Sequence, residues 1–369
     1  MLLRRNPNTY SKKNTTVFRT LIFVILGLPF FSQTFAQSPK IQVGAYYFDG
    51  WTGKTPHITS RLTDSLLDRK PIWGWVTSTP EIINKQIEVA YDAGITFFDF
   101  CWYFQKNPKS GEIDDIPLNN ALKLYLKSQN KRKIKFSLLI ANHKGFLFDK
   151  TDWIDLCKYW CKKFKDPSYL LVDEKPLITF FQVQSLVDCF GSSEEVNRAF
   201  QVFRDIAKAE GLKGISFAAC ADPSKKAIGL AEDCGFDIIT GYNYHENGFG
   251  RSKKEIVPID SMNYRQVQVW DWQRQISHHP VIPSITSNWD RRGWDKGPVT
   301  YSQRFTGYSK NSIKNAVVAC KEWVLKNQSS YAQKIMVIYA WNEYGEGAWL
   351  TPSVILKDSL LQGVKEGLK

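Results

Sequence analysis

The stretch Ile335-Met-Val-Ile-Tyr-Ala-Trp-Asn-Glu-Tyr-Gly-Glu-Gly-Ala-Trp-Leu350 carries an apolar strand straight into a loop that holds two glutamates and three aromatic residues. Glu343 and Glu346 lie three apart, and Gly345 and Gly347 leave the backbone free to turn both carboxylates toward one cleft. The strand is one unit of a recurring pattern. Apolar, β-branched or aromatic runs at 41–48, 95–102, 134–141, 177–182, 215–221, 237–242, 281–286 and 334–341 are each followed by a segment of helical character, the alternation that implies a parallel sheet. Eight such units closing on themselves predict an α/β fold, the (β/α)8 TIM barrel, with the quoted stretch as its last strand and mouth loop.

Thr79-Pro80-Glu81 reads as the cap and first turn of a helix, Ser192 to Glu195 as a capping box, and 354–368 as a closing helix. The loops after strands one, six and seven (50–79, 243–263 and 288–311) are long, polar and aromatic, whereas the turns at Gly94, Gly214 and Gly235 are brief. A barrel enzyme elaborates its mouth loops in this way. No linker or low-complexity tract divides 37–369, which is expected to be a single catalytic domain.

Residues 1–36 read as a signal peptide: Arg4, Arg5, Lys12, Lys13 and Arg19 precede the apolar run 21–31, and cleavage is expected after Ala36. The run is short for a membrane span, so a secreted or periplasmic protein without stable membrane insertion is expected, rather than an anchored one. Cleavage lowers the net charge from +13 to +8, a surplus that most often reflects a lysine-rich solvated surface and otherwise favours acidic glycans or an anionic cell surface. No basic run interleaved with aromatics points to nucleic acid. The seven cysteines lack disulfide-scaffold spacing, and Cys157 and Cys161, one helical turn apart, read as two core positions. No HExxH or CxxC spacing, phosphate loop or nucleophile elbow is present, so neither metal nor cofactor is expected.

In a barrel, the strand ends face one mouth. They supply Tyr46, Tyr47, Asp49 and Trp51; Asp99, Trp102 and Tyr103; Asn142 and His143; Gln182; Asp222; and Tyr242, Asn243, Tyr244, His245 and Glu246. Asn288, Trp289 and Asp290 follow, then Trp341, Asn342, Tyr344 and Trp349 around the glutamates. Aromatic faces stack on pyranose C–H faces while amides, carboxylates and imidazoles bind hydroxyls, so an oligo- or polysaccharide is the expected partner. Asp99 lies in an otherwise apolar strand, where it binds substrate or orients a neighbour. His57 is within reach of the mouth, and His278 and His279 belong to the opposite face. Glu343 and Glu346 are the expected catalytic pair, one an acid and the other activating a nucleophile.

Tyr339-Ala-Trp-Asn-Glu-Tyr-Gly-Glu-Gly-Ala-Trp-Leu-Thr-Pro352 resembles the last-strand signature of glycoside hydrolase family 99 and of family-99-like bacterial proteins. Val43-Gly-Ala-Tyr-Tyr-Phe48 with Trp51, and Gly94-Ile-Thr-Phe-Phe-Asp-Phe-Cys-Trp-Tyr103, resemble its first two strands; 169–178 resembles the hairpin before its fourth, with Glu174 where a glycine is expected. The resemblance implies a retaining, endo-acting hydrolase of an α-linked, mannan-like polysaccharide, working through a 1,2-anhydro sugar with Glu343 as base and Glu346 as general acid. Asn142-His-Lys-Gly departs from the family's third strand end. Family 71 α-1,3-glucanases have a similar last loop, and a non-catalytic glycan-binding or polysaccharide-assembly protein on this scaffold is the alternative from another class.

Overall fold

The structure, a computed structural model, describes residues 41–106, 110–295, 302–327 and 334–369; the expected signal peptide lies outside them. The barrel strands are β1 (Gln42–Tyr47), β2 (Phe97–Trp102), β3 (Lys135–Ile140), β4 (Lys175–Phe180), β5 (Ser216–Cys220), β6 (Ile238–Thr240), β7 (Ser284–Thr286) and β8 (Ile335–Tyr339). They pair in parallel in the order β6-β5-β4-β3-β2-β1-β8-β7. The ring closes where Val281, just ahead of β7, bridges Ile239 of β6, with Ile282 N donating to Ile239 O at 2.9 Å.

Each strand is followed by a helix: α1 (Pro80–Ala93), α2 (Asn120–Lys127), α3 (Trp153–Phe164), α4 (Ser193–Ala209), α5 (Lys225–Asp233), α6 (Ile259–Ile276), α7 (Lys310–Lys326) and α8 (Ser359–Leu368). Thr79 caps α1 by accepting from Ile82 N, and Gly94 ends it in the left-handed region at φ 93°, where only glycine sits without strain. Ser192 caps α4, but the reciprocal half of the expected box is not made; Glu195 pairs with Arg198 instead. The closing helix begins at Ser359, not 354, because Ser353 pairs with Lys357 and Val354 N donates to Lys70 O at 2.8 Å. Cys157 and Cys161 are both buried on α3, and all seven cysteines are free.

Inside the barrel the strands alternate as the pleat requires. Phe97 and Asp99 of β2 point inward, and the Phe97 ring lies 2.1 Å from where a Cβ on Gly44 would stand, so only glycine fits there. Above that ring the filling turns polar: Ser137 Oγ and Thr179 Oγ1 donate to the two oxygens of Asp99 at 2.9 and 3.4 Å.

Candidate active site

The loop after β8 is a small hairpin in which Asn342–Glu343 pairs antiparallel with Ala348–Trp349 around a tight turn over Tyr344–Glu346. Gly347 closes the turn at φ 73°. A Cβ on Gly345 would lie 2.2 Å from the Trp294 ring, so the loop carries no side chain where that ring packs. Three backbone carbonyls of the hairpin are held from below. Arg69 Nη1 donates to Tyr344 O at 2.9 Å, Asp290 N to Glu346 O at 2.6 Å, and Asn288 Nδ2 to Gly347 O at 2.6 Å. Asp290 forms a buried ion pair with Arg69 and a second with Arg292.

Glu343 is buried and Glu346 is half-buried. Tyr242 Oη donates to Glu343 Oε1 at 2.7 Å, and Glu343 Oε2 has no hydrogen-bond partner among the described residues. Tyr339 Oη donates to Glu346 Oε2. Burial, and then the charge of Glu346, hold Glu343 well above the usual carboxylate range, with the Tyr242 bond opposing. Burial also raises Glu346, against hydrogen bonds from Tyr339 and Trp294 and the charge of Arg291. Two carboxyls so placed ionise one at a time, giving one proton donor and one acceptor in the same site.

Two cavities meet at this pair. The first, about 500 Å³, is bounded by Phe48, His57, Cys101, Tyr103, His143, Trp294 and both glutamates. The second, about 690 Å³, is bounded by Cys220, Asp222, Asn243, His245, Trp289 and Glu346. Phe181, Gln182, Tyr242 and Glu346 line both. In the second lobe His245 lies flat on Trp289, ring centroids 3.6 Å apart. Burial and then Arg291 lower His245 to about 4, so its imidazole is neutral and the 3.4 Å approach to Glu246 is no ion pair.

Among the expected binding residues, His143, Tyr242, His245 and Trp289 line these lobes with Glu343 and Glu346. Tyr46, Tyr47, Trp51, Asp99, Trp102, Asn288, Trp341, Asn342, Tyr344 and Trp349 do not; they are buried behind the walls. Trp102 points outward against Trp160 of α3, and Tyr47 against Phe98 and Phe100. Trp341 Nε1 donates to Gln86 of α1 at 2.6 Å, and Trp51 Nε1 to Asn342 O at 2.7 Å. Asn342 Oδ1 accepts from Phe48 N at 2.9 Å, Tyr46 Oη donates to Gly241 O at 2.9 Å, and Tyr344 Oη bonds Thr351 at 2.9 Å. Trp349 packs edge-on to Tyr308. Where these side chains form hydrogen bonds, they form them with the frame, as buried donors and acceptors do.

A family model described as "Glycosyltransferase WbsX" matches residues 75–364, most of the chain and both glutamates. The chain belongs to this WbsX family. No curated protein matches it in sequence. Among solved structures, a GH99 endo-alpha-mannosidase from Bacteroides thetaiotaomicron superposes with a TM-score of 0.60 at 15% identity, covering 89% of this chain and 97% of that one. A glycoside hydrolase-like protein gives 0.64 at 14% identity, covering 90% and 94%. An exo-beta-1,4-mannosidase from Opitutaceae bacterium strain TAV5 gives 0.52 at 11%, covering 89% and 59%. These likenesses are of fold, and the family-99 resemblance of the last loop agrees with the first of them.

Several wall residues of this WbsX-family chain were not among those expected: Phe48, Cys101, Phe181, Trp294 and, bonded to Glu346, Tyr339. Strand alternation carries the signal for three of them. Once Asp99 is taken as inward, Cys101 and Tyr103 follow with it and Trp102 must face the helices; the same count puts Phe48 with Tyr46, and Tyr339 with Val337. Trp294 and the buried Arg69 each end a single short 3₁₀ turn within a long loop, too short for a period to show.

Proposed function

We propose that this WbsX-family chain is an exported enzyme of 37–369 as one domain, cut after Ala36, that cleaves an α-linked, mannan-like polysaccharide within its length with retention. The reading is carried by one observation: two carboxyls raised by burial line the first lobe, Glu346 lines the second as well, and Glu343 keeps one oxygen without a protein partner. In the first step Glu343 takes the proton of the substrate's own 2-hydroxyl, that oxygen attacks C1, and Glu346 protonates the departing glycosidic oxygen as the C1–O bond breaks. Water then gives a proton to Glu346 while its oxygen opens the 1,2-anhydro ring at C1, and the proton held by Glu343 returns to O2. Burial suits both roles, since a raised carboxyl holds its proton until it is needed and is a stronger base when it has none.

The family's description favours a second reading, glycosyl transfer. It uses the same first step, with the hydroxyl of another glycan replacing water in the second. Digestion of an α-mannan and an α-1,3-glucan, with sizing of all products, separates the two. New reducing ends mark hydrolysis, and chains longer than the input mark transfer. Glu346→Gln is expected to lower either rate about 10²- to 10⁴-fold, the worth of a general acid. An unchanged rate sinks the assignment, and tight glycan binding without any product points to a non-catalytic binding protein.

A further inference from the structure

Arg69 and Asp290 stand apart from both lobes, yet they grip the loop that bears the glutamates. Arg69 comes from the long loop after β1 and is 2% exposed. Its guanidinium donates to Tyr344 O and Asp290 O, each at 2.9 Å, and pairs with the Asp290 carboxylate. Asp290, from the loop after β7, sends its own N–H to Glu346 O at 2.6 Å and receives two further bonds from Arg292 at 2.8 and 2.6 Å. The fit is tight: a Cβ on Gly347 would lie 3.2 Å from Arg69 Cζ and 3.0 Å from Asp290 Cβ. Burying an arginine and an aspartate costs free energy that the ion pair alone seldom recovers. Here the Arg69 guanidinium also holds the carbonyl of Tyr344, and the backbone N–H of Asp290 holds that of Glu346, on either side of the turn that spaces the two carboxylates.

We propose that Arg69 and Asp290 are positioning residues, a buried clamp that sets the separation and depth of Glu343 and Glu346 at the junction of the lobes. The inference rests on the proposed use of that pair. Neither residue touches a lobe, so the clamp acts through the loop and not on the sugar. Its loss lets the hairpin ride outward, water reaches the carboxyls, and the burial that raises them weakens.

The test uses the full-length protein with Arg69→Lys, which keeps the charge but not the fork, and Arg292→Ala, which removes the half-exposed arm. Two readouts are taken: carboxyl titration by ¹³C NMR of glutamate-labelled protein, and kcat and KM on whichever glycan the wild type cleaves. Arg69→Lys is expected to move the Glu343 and Glu346 titrations down toward ordinary carboxylates and to lower kcat about tenfold to a hundredfold, as a misplaced catalytic group does, with KM little changed. Arg292→Ala shifts both in the same direction by less, and it decides the matter should Arg69→Lys fail to fold. Titrations and kcat matching the wild type in a folded variant, or a raised KM with kcat intact, overturn the proposal. The titration needs no substrate, so it judges the clamp even if Glu346→Gln shows that the pair is not catalytic.

Discussion

Asp99 is a carboxyl that the barrel holds largely protonated below neutrality. Burial lifts it to about 7 from an ordinary 3.8, and the bonds from Ser137 and Thr179 only partly oppose this. A folded-state value above the unfolded one means that the stabilisation is complete below about pH 4 and is lost as pH rises through about 7. The interval between 3.8 and about 7 corresponds to about 4 kcal/mol. Asp99→Asn is therefore expected to flatten the fall in urea midpoint between pH 4 and pH 7.5, and parallel curves for the two proteins would count against a raised Asp99. At this scale the sequence was legible where a period applied and opaque elsewhere. The glutamate pair, His143, Tyr242, His245 and Trp289 reach the lobes as their strand ends predict. Trp102 was read one position out of phase with Cys101, because a large aromatic next to the mouth draws the eye while the pleat decides the direction. Arg69 could not be read at all, since its partners lie more than two hundred residues away.

Strands and helices obey local signals, so they were read to within a few residues. Where long-range contacts intervene, the reading slipped: the start of α8 gave way to backbone pairing between the 352–357 segment and the 70–72 loop. The hairpin before β4 turns at Asp173 and Glu174 with φ 47° and 64°, which explains why glycine is the residue expected at 174. Glycine inside helices teaches a related lesson. On α8, a Cβ at Gly363 would stand 2.5 Å from the carbonyl of Lys310, so the helix lies against α7 at a distance only glycine permits. Gly229 on α5 faces open space. Gly363→Ala is expected to cost about 1–3 kcal/mol by overpacking, whereas Gly229→Ala gains about 0.5–1 kcal/mol from helix propensity. Urea midpoints of the two variants should move in opposite directions, and movement in the same direction would discredit the packing account.

At the scale of the whole molecule, alternation of strands and helices was enough to predict the barrel, but the two-lobed cleft was not legible because the ends and loops of all eight strands build it. On the proposed reading, a chain lying through both lobes is cut in its middle. Early digestion should therefore shorten the polymer steeply while few reducing ends appear, as size-exclusion profiles taken during digestion will register; release of monosaccharide alone from the outset would speak against it. The seam of the barrel adds a consequence for fragments. β8 is inserted between β1 and β7, and the strand that completes the ring also delivers both glutamates. Fragments ending short of β8 therefore present the lobe walls supplied by the first seven strands without either of the carboxylates to which the proposed reading gives the cleavage.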